Sequence, residues 1–171
     1  MQRFFMPLAA TVSLALSPLV GLSSTDAASN SETIALNRPT ADESAAIRQL
    51  LDNYTHSVST GDRQLFESQL LDLSIPFSGI DVAAGGVDKL ELNSIQNYQG
   101  FRNSIFDSGK KFKQRFTNVK IEQLRNVAQV SLDYETALQE QDYSGKGWKV
   151  LQLVKVKGQW KIASELYTAG Y

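Results

Sequence analysis

The alternation of apolar and polar residues that begins at Phe112 constrains the fold more than any other feature of this chain. A period of two predicts β-structure. We expect four long strands, near residues 112–124, 127–141, 147–157 and 160–168. The last two are joined by the short turn Lys157-Gly158-Gln159, so they should pair antiparallel. The second half of the chain is therefore predicted to form a mainly antiparallel sheet.

Helical patterns precede this sheet. Thr40 and Glu43 fit a capping box, and Gly61 suits the C-terminal cap of the helix that follows. One face of that helix should carry an apolar stripe: Ile47, Leu50, Leu51, Tyr54 and Val58. Asp62 can cap a second, shorter helix that buries Leu65, Phe66 and Leu70.

A short strand and a third helix should complete the first half. Leu73, Ile75 and Phe77 alternate, and Pro76 places this strand at an edge or breaks it. Asn93 or Ser94 can cap a helix that ends at Gly109. Its inward stripe is expected to be Ile95, Tyr98, Arg102, Ile105 and Phe106. The helices come early in the chain and the long strands follow one another, an order that predicts the α+β class. We expect a strongly curved sheet that wraps around the three N-terminal helices and forms an open cone.

Composition narrows the classes of partner. The chain has 171 residues, 42% hydrophobic and 20% charged, which is typical of a globular protein. A net charge of -1 argues against a general affinity for nucleic acid. Cysteine is absent, which excludes disulfides, thiolate chemistry and four-cysteine zinc sites. We expect neither a metal nor a cofactor.

The first 27 residues have the layout of a secretory signal peptide. Arg3 precedes a long apolar run, and small residues permit cleavage after Ala27 or Ala28. Residues 28–39 are polar and aperiodic, so we expect a flexible lead-in before one domain at 40–171. The predicted location is periplasmic or secreted, without membrane attachment after cleavage. Retention of the apolar run as a membrane anchor is the alternative.

The two faces of the third long strand are both informative. One face carries Trp148, Val150, Gln152, Val154 and Val156, and we expect it to line a cavity toward which the Gln152 amide points. The opposite face carries two leucines among lysines: Lys149, Leu151, Leu153, Lys155 and Lys157. This second face is predicted to be an outer patch through which a homodimer forms.

Three segments resemble the nuclear transport factor 2-like superfamily. They are "YTHSVSTGDRQLF" at 54–66, "FTNVKI" at 116–121 and "VLQLVKVKGQWKIASELY" at 150–167. Within that group the chain is most similar to the SnoaL-like and lumazine-binding proteins. The resemblance implies a cystatin-like topology over residues 42–169. It says little about function, because this fold supports enzymes, ligand carriers and interaction modules.

Ketosteroid isomerase shares this fold and permits a comparison by position. That family has an oxyanion-binding tyrosine seven residues before a Gly-Asp pair, and Tyr54 stands at that distance from Gly61-Asp62. The position of the family's general base is occupied here by Phe77, and a second oxyanion donor aligns with Gln152. The resemblance therefore implies that polar groups remain while the base is lost, which argues against that mechanism.

Several side chains carry two interpretations. His56 falls on the helix side opposite the apolar stripe, so we expect it at the surface. Tyr54 is either a core tyrosine or a hydroxyl on a cavity wall. Arg102 lies within the apolar stripe of the third helix. It either forms an ion pair or reaches water, or it anchors an anionic or carbonyl-bearing ligand.

Together these observations favour an exported protein that binds a small, partly apolar organic molecule, and they assign no catalytic residue. The wall of the cavity is predicted to consist of Phe66, Phe77, Phe106, Phe116 and Tyr134. Tyr54, Arg102 and Gln152 are expected to orient the ligand, and the loop at 79–93 to cover the mouth.

Two alternatives remain open. The first is a cofactor-free isomerase, dehydratase or cyclase of the SnoaL-like type, which requires a titratable group in the cavity. The second is a dimeric protein-interaction module whose cone is filled by side chains.

Overall fold

The computed structural model describes residues 38–81, 91–92, 95–140 and 144–169. The predicted signal peptide and nearly all of the predicted lead-in lie outside these ranges, so export remains a prediction. Within the described ranges, no helix combines the length and apolarity needed to cross a membrane.

Each of the three described helices begins after a residue whose side chain caps it: Thr40, Asp62 and Asn97. Helix α1 spans Ala41–Thr60, α2 spans Arg63–Ser68 and α3 spans Tyr98–Ile105. The Thr40 side chain accepts from the amide of Glu43, which is one half of the predicted capping box, whereas the Glu43 carboxylate accepts from Lys155 and Trp160. Gly61 ends α1 with φ of 73°, a left-handed conformation that favours glycine. The predicted caps at the start and end of α1, Thr40 and Gly61, are confirmed.

The third helix starts later than predicted. Asn97 is its cap, since its side-chain oxygen accepts from the amide of Gly100 at 2.9 Å. The carbonyl of Ile95 is already engaged by the amide of Gly79 at 2.9 Å. This pairing holds the backbone at Ile95 against a neighbouring segment, so a cap at Asn93 or Ser94 was wrong.

The described strands form one six-stranded sheet. Strands β1 to β6 span Phe77–Asp81, Glu91–Leu92, Phe112–Leu124, Val127–Leu138, Ser144–Val156 and Gln159–Ala169. Their order is β2-β1-β6-β5-β4-β3. Strands β3 to β6 pair antiparallel in sequence, whereas β1 pairs parallel to β6. The α+β class, with a curved and mainly antiparallel sheet, is confirmed.

Three details differ from the predicted boundaries. The alternation from Leu73 overestimated β1, because Leu73 is 56% exposed and the strand begins directly after Pro76. Residues 79–81 and 91–92 belong to strands and not to the predicted loop. The remainder of that loop lies outside the described ranges.

Two irregularities accompany the bending of the sheet. The register between β3 and β4 shifts between Thr117 and Lys120, where Asn118 has φ of 52°. The register between β5 and β6 shifts between Gln152 and Leu153. Such bulges increase local twist and bend a strand.

The faces of β5 are the reverse of the prediction. Leu151 and Leu153 are 0% and 1% exposed, so they form core and not a dimer patch. Gln152 and Trp148 lie on the outer face, where Trp148 is 41% exposed. The sequence misled here because both faces of this strand carry apolar residues. The lysine that looked like a marker of the solvent face, Lys149, is itself only 2% exposed.

Candidate functional site

A buried cluster of three polar side chains lies inside the curved sheet: Tyr54, Lys149 and Glu165. The Lys149 ammonium lies 2.6 Å from Glu165 Oε1 and donates to the Tyr54 hydroxyl at 2.8 Å. Tyr54 in turn donates to Glu165 Oε2 at 2.9 Å. The side chains of Lys149 and Glu165 are 2% and 0% exposed. Because each charge is removed from water, each needs the opposite charge beside it to offset the cost of desolvation.

Three different elements position the cluster. Tyr54 lies on the apolar stripe of α1, among the residues that face the sheet. Lys149 comes from β5 and Glu165 from the neighbouring β6, two residue pairs apart along the ladder. The amide of Glu165 also donates to the Pro76 carbonyl at 2.9 Å. The cluster thus depends on contacts between distant parts of the sequence.

Aromatic rings surround the amine of Lys149. Its Nζ lies 4.6 Å from the ring centroid of Tyr54 and 5.1 Å from that of Tyr134. Phe116 and Tyr167 follow at 5.5 and 5.6 Å. A cation at these distances is attracted to the electron-rich ring faces. The surroundings are nevertheless poorly hydrated, which disfavours charge on the amine.

Burial shifts the proton affinities of two members of the cluster. It lowers the pKa of the Lys149 ammonium, and the adjacent Glu165 carboxylate offsets only part of this effect. Burial also raises the pKa of the Tyr54 hydroxyl well above its usual value, and the charge of Glu165 raises it further. Tyr54 is therefore a neutral hydrogen-bond donor, while the lysine loses its proton more readily than a surface lysine does.

Both oxygens of the Glu165 carboxylate have a partner within the cluster. Oε1 lies 2.6 Å from the Lys149 ammonium, and Oε2 accepts from Tyr54 at 2.9 Å. A buried carboxylate oxygen in this state can still accept a further hydrogen bond.

Three of the five residues predicted to form an aromatic wall, Phe66, Phe77 and Phe106, pack together in the core. Phe66 and Phe77 are 0% exposed, and their ring centroids lie 6.3 Å apart. Phe101, absent from the predicted wall, lies 5.2 Å from Phe66 and 5.0 Å from Phe77. Phe106 also contacts Phe66, at 5.1 Å. These rings fill the space near α2 and α3 and lie against one another there.

Two members of the predicted wall also line surface depressions. Phe116 is half-buried and forms part of a cleft of about 390 Å³ between α1 and β3. The other residues of this cleft are Arg48, Leu51, Asp52, Thr55, Gln114, Arg115 and Val119. Tyr134 lines a second depression, of about 270 Å³. The centroids of both rings also lie near Lys149 Nζ, at 5.5 Å for Phe116 and 5.1 Å for Tyr134.

The predicted orienting residues do not converge. Tyr54 is inside, as expected from its place on the stripe of α1. Arg102 is 31% exposed and pairs with Asp107 at 2.9 Å, consistent with the ion-pair interpretation. Gln152 faces outward and accepts from the Ser164 hydroxyl at 2.7 Å, so its predicted place inside was wrong. His56 is exposed, as predicted.

The sequence analysis did not place Lys149 and Glu165 in the interior, although the sequence contains a pattern that indicates their burial. Lys149 alternates with Leu151 and Leu153, and Glu165 lies two residues before Tyr167. Residues of opposite charge on the apolar faces of adjacent strands can satisfy one another when buried. Assigning the apolar face of β5 to its two leucines, instead of its valines, would have placed the lysine inside.

No metal centre is evident in the described part of the chain. There, no group of three or more histidine, aspartate or glutamate side chains is arranged to hold an ion. The cluster itself contains one carboxylate beside an ammonium.

The sequence matches no protein-family model and no curated protein. Solved structures are nevertheless similar over most of the chain. One is a cystatin-like protein of unknown function from Nostoc punctiforme, with 12% identity, a TM-score of 0.57 and coverage of 77% of this chain and 93% of that chain. Another is a nuclear transport factor 2-like protein of unknown function from Shewanella baltica, with 19% identity, a TM-score of 0.56 and coverage of 79% and 99%.

A third similar structure comes from Novosphingobium aromaticivorans and is provisionally named a scytalone dehydratase. Its identity to this chain is 13%, its TM-score is 0.57, and the match covers 75% of this chain and 85% of that chain. At these identities the similarity concerns the fold alone. The narrower SnoaL-like and lumazine-binding grouping therefore remains a prediction from the sequence motifs.

Proposed function

Because the chain has the nuclear transport factor 2-like fold, we propose that it binds a small, partly apolar organic molecule inside the curved sheet. The ligand contacts the buried cluster of Tyr54, Lys149 and Glu165. The observation that carries this proposal is the aromatic cage around Lys149, two of whose rings also line surface depressions. A few polar groups among many apolar ones are typical of small-molecule sites.

The energetics of the cluster favour a functional role over a purely structural one. Desolvating two charges costs several kcal/mol per ion, and well-packed apolar residues in their place are often neutral or stabilising, by about 1–4 kcal/mol. The ring packing around Phe66 shows that this core accommodates apolar side chains readily. Retaining a buried ion pair in such a core is explained if its polar groups also contact a ligand.

Phe116 is the better candidate for the entrance. The Tyr134 hydroxyl donates to the Thr168 carbonyl at 2.8 Å, and the ring lies directly over Gly147. A Cβ atom at Gly147 would come within 2.6 Å of that ring. Phe116 has no polar group to anchor it and is half-buried. Rotation of Phe116 would connect the cleft between α1 and β3 with the amine of Lys149.

The cleft suits an organic molecule of modest size. Its volume of about 390 Å³ lies within the range of roughly 300–1,000 Å³ common for ligand pockets. Leu51, Phe116 and Val119 supply apolar contacts. Arg48 and Asp52 supply charges of both signs, and Arg115 is paired with Glu135. A partly apolar molecule whose polar groups can meet charges of both signs matches this lining.

Export belongs to the same proposal and rests on the N-terminal sequence alone. If the signal peptide is cleaved after Ala27, the ligand is met outside the cytoplasm. Amino-terminal sequencing of the protein purified from the exported fraction tests this. A mature chain that starts at Ala28 supports it, and an intact Met1 in the membrane fraction contradicts it.

A thermal-shift screen of aromatic acids, pterins and steroids tests the binding function. A ligand that binds only the folded state raises its stability by about 2.7 kcal/mol at one hundred times its Kd. We expect selective stabilisation that is lost in Lys149→Met. Lys155→Met is the matched control, because Lys155 pairs with Glu43 at a partly exposed site away from the cluster. Equal shifts in both variants would place the ligand elsewhere.

A second candidate function is catalysis of the isomerase or dehydratase kind. The sequence analysis assigned no titratable residue to the cavity. In the structure, Glu165 is a titratable residue in the interior, with a side chain that is 0% exposed. The neighbouring Tyr54 hydroxyl donates to Glu165 Oε2, and it can donate to a developing oxyanion once that hydrogen bond is released. Exchange of carbon-bound hydrogen for solvent deuterium in a bound ketone, followed by NMR, tests this. Exchange should disappear in Glu165→Gln.

The outer face of the sheet favours self-association as the alternative role. Trp148, Val156 and Leu166 are 41%, 40% and 39% exposed on it, an apolar surface of the kind found at interfaces. A homodimer through this face replaces the one predicted through Leu151 and Leu153. Light scattering of the wild type and of Trp148→Lys tests it. A monomer at all concentrations would argue against it.

A further inference from the structure

We propose that Lys149 forms an imine with a small aldehyde or ketone, and that Glu165 carries the proton in this step. The inference rests on the proposed function, since the carbonyl compound must first reach the buried cluster. It adds a ligand class and a covalent chemistry. Two contacts of Lys149 Nζ support the inference: Glu165 Oε1 lies at 2.6 Å and the Tyr54 hydroxyl at 2.8 Å.

The surroundings of Lys149 are those that make an amine nucleophilic. An ammonium has no free electron pair, so it must lose a proton before it can attack carbon. Desolvation among aromatic rings favours the neutral amine, which is how buried lysines are activated. Burial lowers the pKa of Lys149 in this way. Glu165 lies within direct reach of the ammonium and can accept its proton.

The charge of the cluster selects a neutral electrophile. A ligand anion placed against Lys149 would also meet the Glu165 carboxylate, and a ligand cation would meet the ammonium. A carbonyl group carries no net charge, and its oxygen can take the Tyr54 hydroxyl proton in place of Glu165 Oε2, to which that hydroxyl donates in the unliganded protein. The rings of Phe116 and Tyr134 provide apolar contact for the rest of the molecule.

The step balances without a further reactant. Glu165 takes one proton from the Lys149 ammonium, and the amine nitrogen then attacks the carbonyl carbon. A carbon–nitrogen bond forms as the carbonyl π bond breaks, and one proton moves from the attacking nitrogen to the oxygen to give a neutral carbinolamine. Glu165 returns its proton as the hydroxyl departs as water. The products are a protonated imine on Lys149, one water molecule and the original carboxylate.

Reductive trapping tests the inference on protein purified from expression of the full chain. We incubate it with benzaldehyde and sodium cyanoborohydride at pH 7, digest it and measure benzylation at each lysine by mass spectrometry. Each unit by which a lysine pKa is lowered raises its neutral fraction about tenfold at this pH. We therefore expect Lys149 to carry several times more label than the exposed Lys113 and Lys157.

Two variants separate a site effect from general labelling. Tyr54→Phe removes the hydroxyl that would hold the carbonyl oxygen and should reduce label at Lys149 several-fold, whereas Lys155→Met should leave it unchanged. Circular dichroism tests whether each variant is folded. Because the wild-type map alone compares Lys149 with other lysines, the test stands even if Tyr54→Phe does not fold.

Binding and imine formation can fail separately. A thermal shift with benzaldehyde alone, measured before reductant is added, reports binding. Stabilisation without label on Lys149 would overturn the imine and leave the proposed binding function intact. Label on exposed lysines in excess of Lys149, with no stabilisation by any screened compound, would overturn both.

Discussion

Replacing Glu165 by Gln tests the interdependence of the buried charges most severely. The substitution keeps the shape of the side chain but removes its charge, leaving the Lys149 ammonium with neutral partners at 2% exposure. Breaking a buried pair in this way typically costs about 3–5 kcal/mol. Domains of this kind are stabilised by only about 5–15 kcal/mol. We therefore expect a large fraction of the free energy of unfolding to be lost.

Urea denaturation followed by circular dichroism measures this loss. With a slope of about 2 kcal/mol per molar urea, a cost of about 4 kcal/mol lowers the midpoint by about 2 M. The double variant Lys149→Met/Glu165→Leu removes both charges and fills the space with apolar atoms. Its stability should lie near that of the wild type or above it, because the desolvation cost disappears with the charges.

The matched control is the pair of Lys155 and Glu43. Its side chains are 25% and 24% exposed, so solvent screens the interaction. Lys155→Met should cost no more than about 1 kcal/mol. A loss below 1 kcal/mol for Glu165→Gln, or a double variant less stable than either single variant, would refute the reasoning about the buried pair.

Three further predictions follow from individual side chains. Hydrogen bonds from Lys155 and Trp160 hold the pKa of Glu43 below 4.5. The contribution of Glu43 to stability is therefore present above pH 4.5 and is lost as pH falls through the pKa of the folded state. In Glu43→Gln, the free energy of unfolding should depend less on pH in that range. Gly61→Ala should cost about 1 kcal/mol in a urea titration, because φ of 73° strains alanine although open space surrounds the site. Gln152→Leu should change the free energy of unfolding by less than about 0.5 kcal/mol, because the Gln152 side chain is exposed. A loss of several kcal/mol would show that this side chain is buried.

The elements of the fold were predictable because their signals are local. The caps at Thr40 and Gly61 and the stripe of α1 depend on residues close in sequence, and the structure confirms them. The long strands follow from a period of two that persists over many residues. The start of α3 was missed because the pairing of Ile95 with Gly79 is a tertiary contact.

The interior site was less predictable, for a physical reason. Strand β5 carries apolar residues on both faces, so periodicity identifies a strand without stating which face is inside. Lys149 then counted as a mark of solvent exposure, although a buried lysine is stable when a carboxylate meets it. That partner, Glu165, comes from β6, and Tyr54 comes from α1. No local pattern connects these three positions.

A crystal structure with the strongest binder from the thermal-shift screen tests the central claim most directly. We predict that the ligand lies between α1 and β3, that the Phe116 ring has turned away from Lys149, and that a ligand atom contacts Lys149 or Glu165. Ligand density on the outer face near Trp148, with the Phe116 ring still against Lys149, would contradict the account.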